Sequence, residues 1–272
     1  MTMSAKTSAT LRSLLGAAAL AALTLAGPAL AQDKVVRIGT EAAYAPFEYK
    51  DDKGQLKGYE IQLGDALCAA AKIKCEWVNA DFDSLIPALN AHKIDAILSQ
   101  MSITDDRKKA VDFTNQVTIA PARFVAKEGS GITDDPSTLK GKTIAVQSGT
   151  THEKYVTEKL AGIATPKVYQ TQDEAFLDVE NGRADATLAD ATIEYDWLQK
   201  TGKAKGFAYA GKPLTDPAIF GDGTGIAVRK DDPALAATFN KALAAVGADG
   251  EFKKINDQYF PFDIEGSGAT KK

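Results

Sequence analysis

Short apolar segments with strand character alternate with amphipathic helical segments along this chain, and the alternation runs through two rounds. In the first round, residues 35–39 read as a strand and residues 60–72 as a helix with Ile61, Leu63, Leu67 and Cys68 on one face. Residues 75–78 form the next strand, 84–92 a short helix, and 96–98 a buried strand that runs into polar residues. The pattern restarts with strands at 123–126 and 143–146, a helix up to about residue 160, a strand at 167–169, and a helix over 173–181 stopped by Gly182. A strand at 184–188, a helix to Lys200, a strand at 225–229 and helices within 232–259 complete it.

Such alternation places the chain in the α/β class, with mainly parallel sheets flanked by helices. Two rounds imply two lobes. The expected division is residues 32–120 plus 214–272 for lobe one and residues 121–213 for lobe two. Ile119-Ala120-Pro121-Ala122 is the candidate first crossing, and the Pro- and Gly-rich residues 211–223 the candidate return. Ligands of open α/β sheets sit at the carboxyl ends of the strands, so the cleft between the lobes is the expected site.

The first thirty-one residues read as an export signal. Lys6 and Arg12 give a positive start, residues 14–27 are apolar and Ala-rich, and Ala29-Leu30-Ala31 offers a small-x-small cleavage site before Gln32. Pro28 breaks the apolar run, which is shorter than the roughly 20 residues that span a bilayer. No Cys follows the cleavage site, which argues against lipid attachment there. Removing 31 residues from 272 leaves 241, and losing two basic residues takes the formal charge from −4 to −6. An acidic product excludes nucleic acid and anionic membrane as partners, because phosphate binding needs a basic surface.

Two cysteines are present, Cys68 and Cys75. In an exported chain an even pair reads as a disulfide. The alternative is a metal site, for which two Cys with no neighbouring His cannot fill four zinc positions. No metal and no cofactor is expected.

Enzyme signatures are missing: the sequence has two histidines, His92 and His152, and no GxSxG, HExxH, P-loop or GxGxxG. Polar residues at strand ends are the better lead. Ser99-Gln100-Met101-Ser102 follows an apolar strand, and Thr104-Asp105-Asp106-Arg107 starts a helix at once. Backbone N–H groups there suit an anion, and Arg107 offers a fork to a carboxylate or else is a solvated charge. Residues 147–151 form a second strand-to-helix turn, which suits a ligand or plain capping. Asp190 follows a third strand, as an N-cap or as a partner for a cation.

Taken together, residues 38–48, 58–63, 82–89, 102–107, 182–186 and 259–263 resemble the family-3 extracellular solute-binding proteins, closest to the lysine/arginine/ornithine- and histidine-binding type. The resemblance covers about residues 35–263 and implies a two-lobed periplasmic-binding-protein fold (type II) that closes on one amino acid. It implies that Arg107, helped by Ser102 and the Thr150/Thr151 turn, grips the ligand α-carboxylate. Asp190 would hold the α-ammonium, and Tyr44 and Phe82 would form aromatic walls. Ser99, Gln100 and Met101 fall in the segment that contacts the ammonium and side chain, Gln147 in the facing turn. Glu41 would reach the far end of the ligand, favouring a basic side chain. Cys68 and Cys75 match a disulfide of the basic-amino-acid branch.

There are departures from the pattern. Gln100 stands where that branch has serine, Gln147 where it has an aliphatic residue, and Glu41 where Asp is usual. Residues 147–153 resemble a stretch of opine-binding relatives. Their long insertion is missing between Lys127 and Lys142, and they tend to lack the acid found here as Asp190. The expected role is that of a periplasmic, monomeric binding subunit that delivers a free amino acid to an inner-membrane ABC permease complex. Opine or glutamine binding are the alternatives. A cyclohexadienyl dehydratase-type enzyme on the same fold, with Glu194 as the cleft acid, is the rival of another class.

Overall fold

The computed structural model describes residue 1 and residues 35–119 and 121–266. The expected export segment and its cleavage site lie outside the described residues, as does Ala120 of the first crossing.

Two five-stranded sheets carry the architecture. From edge to edge the first contains Cys75–Asn79, Val36–Thr40, Ala96–Ile97, Ala227–Val228 and Asp112–Phe113. The second contains Thr165–Tyr169, Thr143–Gln147, Ala186–Asp190, Ala122–Lys127 and Phe207–Leu214. In each sheet four strands share a direction and one opposes them: Ala227–Val228 in the first and Ala122–Lys127 in the second.

Both opposing strands directly follow a passage of the chain from one sheet to the other. A segment that arrives at the carboxyl-end side of parallel strands can only run away from it. The register shows this: Ala122, at the start of its strand, lies beside Asp190, at the end of its own. The two passages touch, with Thr118 and Thr224 bridged antiparallel and their hydroxyls 2.6 Å apart. Gly223, at φ +67°, is required there, since a Cβ would come within 2.5 Å of the Thr118 carbonyl oxygen.

Phe207–Leu214 was not anticipated as a strand because Gly211 and Pro213 interrupt it. It is an edge strand with an irregularity between Ala210 and Leu214, the setting in which a sheet tolerates proline. The return to the first sheet therefore begins after Leu214. The strand expected at 184–188 is Ala186–Asp190. The preceding turn occupies residues 183 and 184, whose N–H groups both donate to the Asp178 carbonyl.

The last two helices, Pro233–Ala248 and Glu251–Tyr259, are separated by Gly250 in the left-handed conformation. Phe239, Leu243, Val246, Phe252 and Ile255 join Tyr59, Leu63 and Leu67 of the helix Tyr59–Ala71 in one buried cluster. These two helices thus pack with the helix Tyr59–Ala71 of the first round. Cys68 and Cys75 form a disulfide, with Cα atoms 6.2 Å apart, that ties the end of this helix to the start of the strand Cys75–Asn79. Among the described residues no group of His, Cys, Asp and Glu is arranged to hold a metal ion, and no helix is long and apolar enough to cross a membrane.

Candidate functional site

Four strands end at one cavity. Glu41 follows Val36–Thr40, Ser99 and Gln100 follow Ala96–Ile97, and Gln147 and Asp190 close their own strands. The cavity is lined by Glu41, Tyr44, Phe82, Ser99, Gln100, Ser102, Arg107, Gln147, Thr150, Thr151, His152 and Asp190.

The first sheet's side of the cavity is built on buried carboxyls. Ser99 Oγ accepts from the Glu41 backbone N–H at 3.0 Å and donates to Glu48 Oε1 at 2.7 Å. Gln100, at φ +44°, is held by its N–H donating to Glu60 Oε2 at 2.8 Å. Glu48 and Glu60 are 0 % and 1 % exposed and interact with each other. Burial pushes Glu48 well above the usual carboxylate range and Glu60 to about 7, so the pair retains a proton. Gln100 Oε1 accepts from the Thr118 hydroxyl at 2.9 Å, which links the floor to the crossing chain.

Arg107 sits on the short helix Asp105–Lys108, capped by Thr104, whose Oγ1 accepts from the Arg107 N–H at 3.2 Å. Its guanidinium lies 5.4 Å from the Phe82 ring centroid and donates to the Ser102 carbonyl at 3.0 Å and, across the cleft, to the Gly149 carbonyl at 3.1 Å. Desolvation lowers it to about 10, against the attraction of Asp190, so it stays charged at neutral pH.

The second sheet supplies the facing wall. Thr150 is the N-cap of the helix Thr151–Lys159; its hydroxyl accepts from the Glu153 N–H at 3.1 Å and donates to the Gln147 carbonyl at 2.7 Å. The capping reading of that turn therefore holds for Thr150, while Thr151 is buried at the cavity. Asp190 occupies the N-cap position of Ala191–Trp197 yet makes no side-chain cap bond. Instead Oδ2 accepts from the Tyr44 hydroxyl at 2.8 Å, and Oδ1 lies 3.3 Å from His152 Nε2 without hydrogen-bond alignment. Gln147 Nε2 donates to both Glu41 oxygens, at 2.7 and 2.8 Å. Burial raises Glu41 to about 7 despite that bond.

Three polar atoms of the lining are buried without a hydrogen-bond partner: Gln100 Nε2, Gln147 Oε1 and His152 Nε2. Each such orphan costs about 1–3 kcal/mol. Their convergence on one cavity marks it as a receptacle for a polar molecule.

The fold brings together eleven of the twelve site residues expected from sequence. Met101 does not line the cavity; its side chain is buried with Phe82, Leu85, Leu89 and Ile97, and its carbonyl accepts from the Gly225 N–H at 3.1 Å. Glu194 is fully buried and outside the lining. His152, Glu48 and Glu60 were missed. The signal for the two acids was a lone carboxylate beside an aromatic residue, in Phe47-Glu48 and Tyr59-Glu60. For His152 it was position alone, one residue into the helix after Thr151.

Comparison with known proteins identifies the family. The bacterial extracellular solute-binding proteins, family 3, match residues 36–262. An L-arginine-binding protein of Pseudomonas aeruginosa is 50 % identical over 256 residues, covering 93 % of this chain and 98 % of that protein. The lysine/arginine/ornithine-binding periplasmic protein of Escherichia coli is 42 % identical over 244 residues, covering 89 % and 94 %. A solved periplasmic binding protein of Salmonella typhimurium, described for its high arginine specificity, superposes with a TM-score of 0.77 at 33 % identity, covering 84 % of this chain and 99 % of that one.

Proposed function

Because the chain belongs to the family-3 bacterial extracellular solute-binding proteins, we propose that it captures one free L-amino acid with a basic side chain, arginine foremost, as the substrate-binding subunit of an ABC importer. A charge count carries the ligand class. Arginine brings an α-carboxylate, an α-ammonium and a guanidinium. The cavity presents one guanidinium, Arg107, and two carboxyl groups, Asp190 and Glu41, on the same lining. A buried charge left unpaired is strongly destabilising, so a ligand with the complementary set is favoured over a zwitterion that leaves Glu41 unmatched.

In this reading Arg107 takes the α-carboxylate with Ser102 and Thr151, and Asp190 takes the α-ammonium. Tyr44 and Phe82 enclose the aliphatic stem. Glu41, with Gln100 and Gln147 beside it, receives the guanidinium. Arginine is favoured over lysine because a planar fork of five N–H donors uses both the Glu41 carboxylate and the orphan Gln147 Oε1. The relatives named for arginine support the same choice.

Binding works by closure. One lobe, residues 32–120 plus those after Leu214, contributes Glu41, Tyr44, Ser102 and Arg107; the other, from residue 121 to Leu214, contributes Gln147, Thr151 and Asp190. Each charge of the ligand is satisfied only when both lobes meet, so differential affinity for the closed form drives closure. The mature monomer, cut after Ala31, then works in the periplasm and hands its ligand to an inner-membrane permease complex. No chemical step is involved, and Glu194, buried outside the lining, is out of reach of a ligand.

Calorimetry on the mature chain, refolded to strip bound ligand, tests this with arginine, lysine, ornithine, histidine, glutamine and octopine. The tightest binding is expected for arginine, with the other basic amino acids ahead of glutamine. Tighter binding of glutamine or octopine than of every basic amino acid overturns the reading.

A further inference from the structure

His152 is one of two histidines in the chain and sits in the binding cavity, 4 % exposed. Its Nε2 has no hydrogen-bond partner and lies 3.3 Å from Asp190 Oδ1. Its ring packs at 6.0 Å against Phe220 of the short helix Pro217–Phe220, which restricts movement away from Asp190. The geometry points to His152 as a proton-dependent competitor for Asp190, so that an imidazolium at this position occupies the carboxylate the ligand's α-ammonium needs. The inference rests on the assignment of Asp190 to the α-ammonium.

The surroundings determine the sign. From the strand Ala186–Asp190 the charged group facing His152 is Asp190 itself, whose other oxygen is taken by Tyr44 from the first sheet's side. Behind Asp190 the helix Ala191–Trp197 brings Glu194, fully buried. From the helix Asp105–Lys108 comes Arg107, which feels the Asp190 charge. On the histidine's own helix, Glu153 is turned back to accept from the Gly149 N–H at 2.7 Å. The facing helix Pro217–Phe220 offers only Asp216, paired with Lys159 at 2.9 Å. Asp190 is thus the acid placed to pair with a protonated His152. A neutral imidazole leaves that acid to the ligand. A protonated one pairs with it and also repels the incoming ammonium.

Binding therefore expels a proton from His152, and affinity falls on acidification. The loss approaches about tenfold per pH unit for one linked proton. Calorimetry from about pH 8 to about pH 5 in buffers of different ionisation enthalpy reads both affinity and protons released. A Glu41→Gln background removes the cavity-lining carboxyl that also releases a proton in this range. In that background the slope is expected to remain, and adding His152→Gln is expected to abolish it. NMR titration of the His152 ring in the wild-type chain gives an independent reading, with saturating arginine expected to move its protonation midpoint to lower pH. Equal slopes with and without the His152 substitution, or a midpoint that arginine leaves in place, overturn the proposal. Asp190→Asn separates the two claims. Wild-type affinity in that variant would overturn the ammonium assignment and the competition with it, whereas lost affinity with an unchanged histidine slope would overturn the competition alone.

Discussion

The Gln147 amide reaches across the cleft to hold both oxygens of the Glu41 carboxylate, at 2.7 and 2.8 Å. Glu41 is 4 % exposed, and burial pushes its ionisation up to about 7 while the Gln147 bond holds it down. A single amide from one lobe thus tunes the acid of the other.

Gln147→Leu should raise Glu41 further, because the lowering hydrogen bond is lost and the desolvation remains. Arginine affinity in this variant should reach its plateau at a higher pH than in the wild type, and the preference for arginine over lysine should shrink. Calorimetric pH series with the two ligands measure both effects.

Glu41→Gln should weaken arginine and lysine by about 2–5 kcal/mol, the cost of breaking a buried charge pair, and glutamine by much less. In the wild type a cationic ligand binds ionised Glu41, so affinity should rise with pH through about 7 with release of a proton. The variant should lose that component. Equal losses for charged and neutral ligands would mean that Glu41 does not read the side chain.

Arg107→Ala and Asp190→Ala should each cost about 2–5 kcal/mol of affinity, mostly from the ligand charge left stranded in the cleft. Thermal shifts with saturating arginine, set against the shift of the wild-type protein, report this directly.

The Glu48–Glu60 pair gives a stability prediction with a definite sign. Both folded-state values lie above the unfolded carboxylate value, Glu60 rising from 4.5 to about 7. Their contribution is complete below the unfolded value and is lost as pH rises through the folded one. The melting temperature should therefore decline from about pH 5 towards pH 8, and less steeply in Glu48→Gln/Glu60→Gln. Glu48→Ala, which strands the Ser99 hydroxyl, should destabilise by about 1–3 kcal/mol.

Reducing the Cys68–Cys75 bond, or replacing both residues by Ser, should lower stability by ~2–3 kcal/mol, as expected for so short a closed loop. Arginine affinity should hold, since neither cysteine lines the cavity. Chemical denaturation and calorimetry under the same reducing conditions test both halves.

The α/β alternation and the polar strand ends were legible in the sequence because each is written locally, whereas Arg107 and Asp190 were singled out by the family resemblance, their local setting suiting a solvated charge and an N-cap as well. Strand and helix periods differ over a few residues, and a polar residue just after an apolar strand marks the end where a cleft lies. The strand Phe207–Leu214 was not legible, since an edge strand that tolerates Gly211 and Pro213 carries a loop's composition. Only the tertiary structure decided that Asp190 leaves its own helix uncapped to face Tyr44 and His152, that Gln147 spends its amide on Glu41, and that Glu48 and Glu60 meet beneath Ser99 and Gln100. Those partners lie between 12 and 146 positions apart in the chain. Side chains so distant have no common local signal, and what each carboxyl costs or contributes depends on the burial and neighbours that only packing supplies.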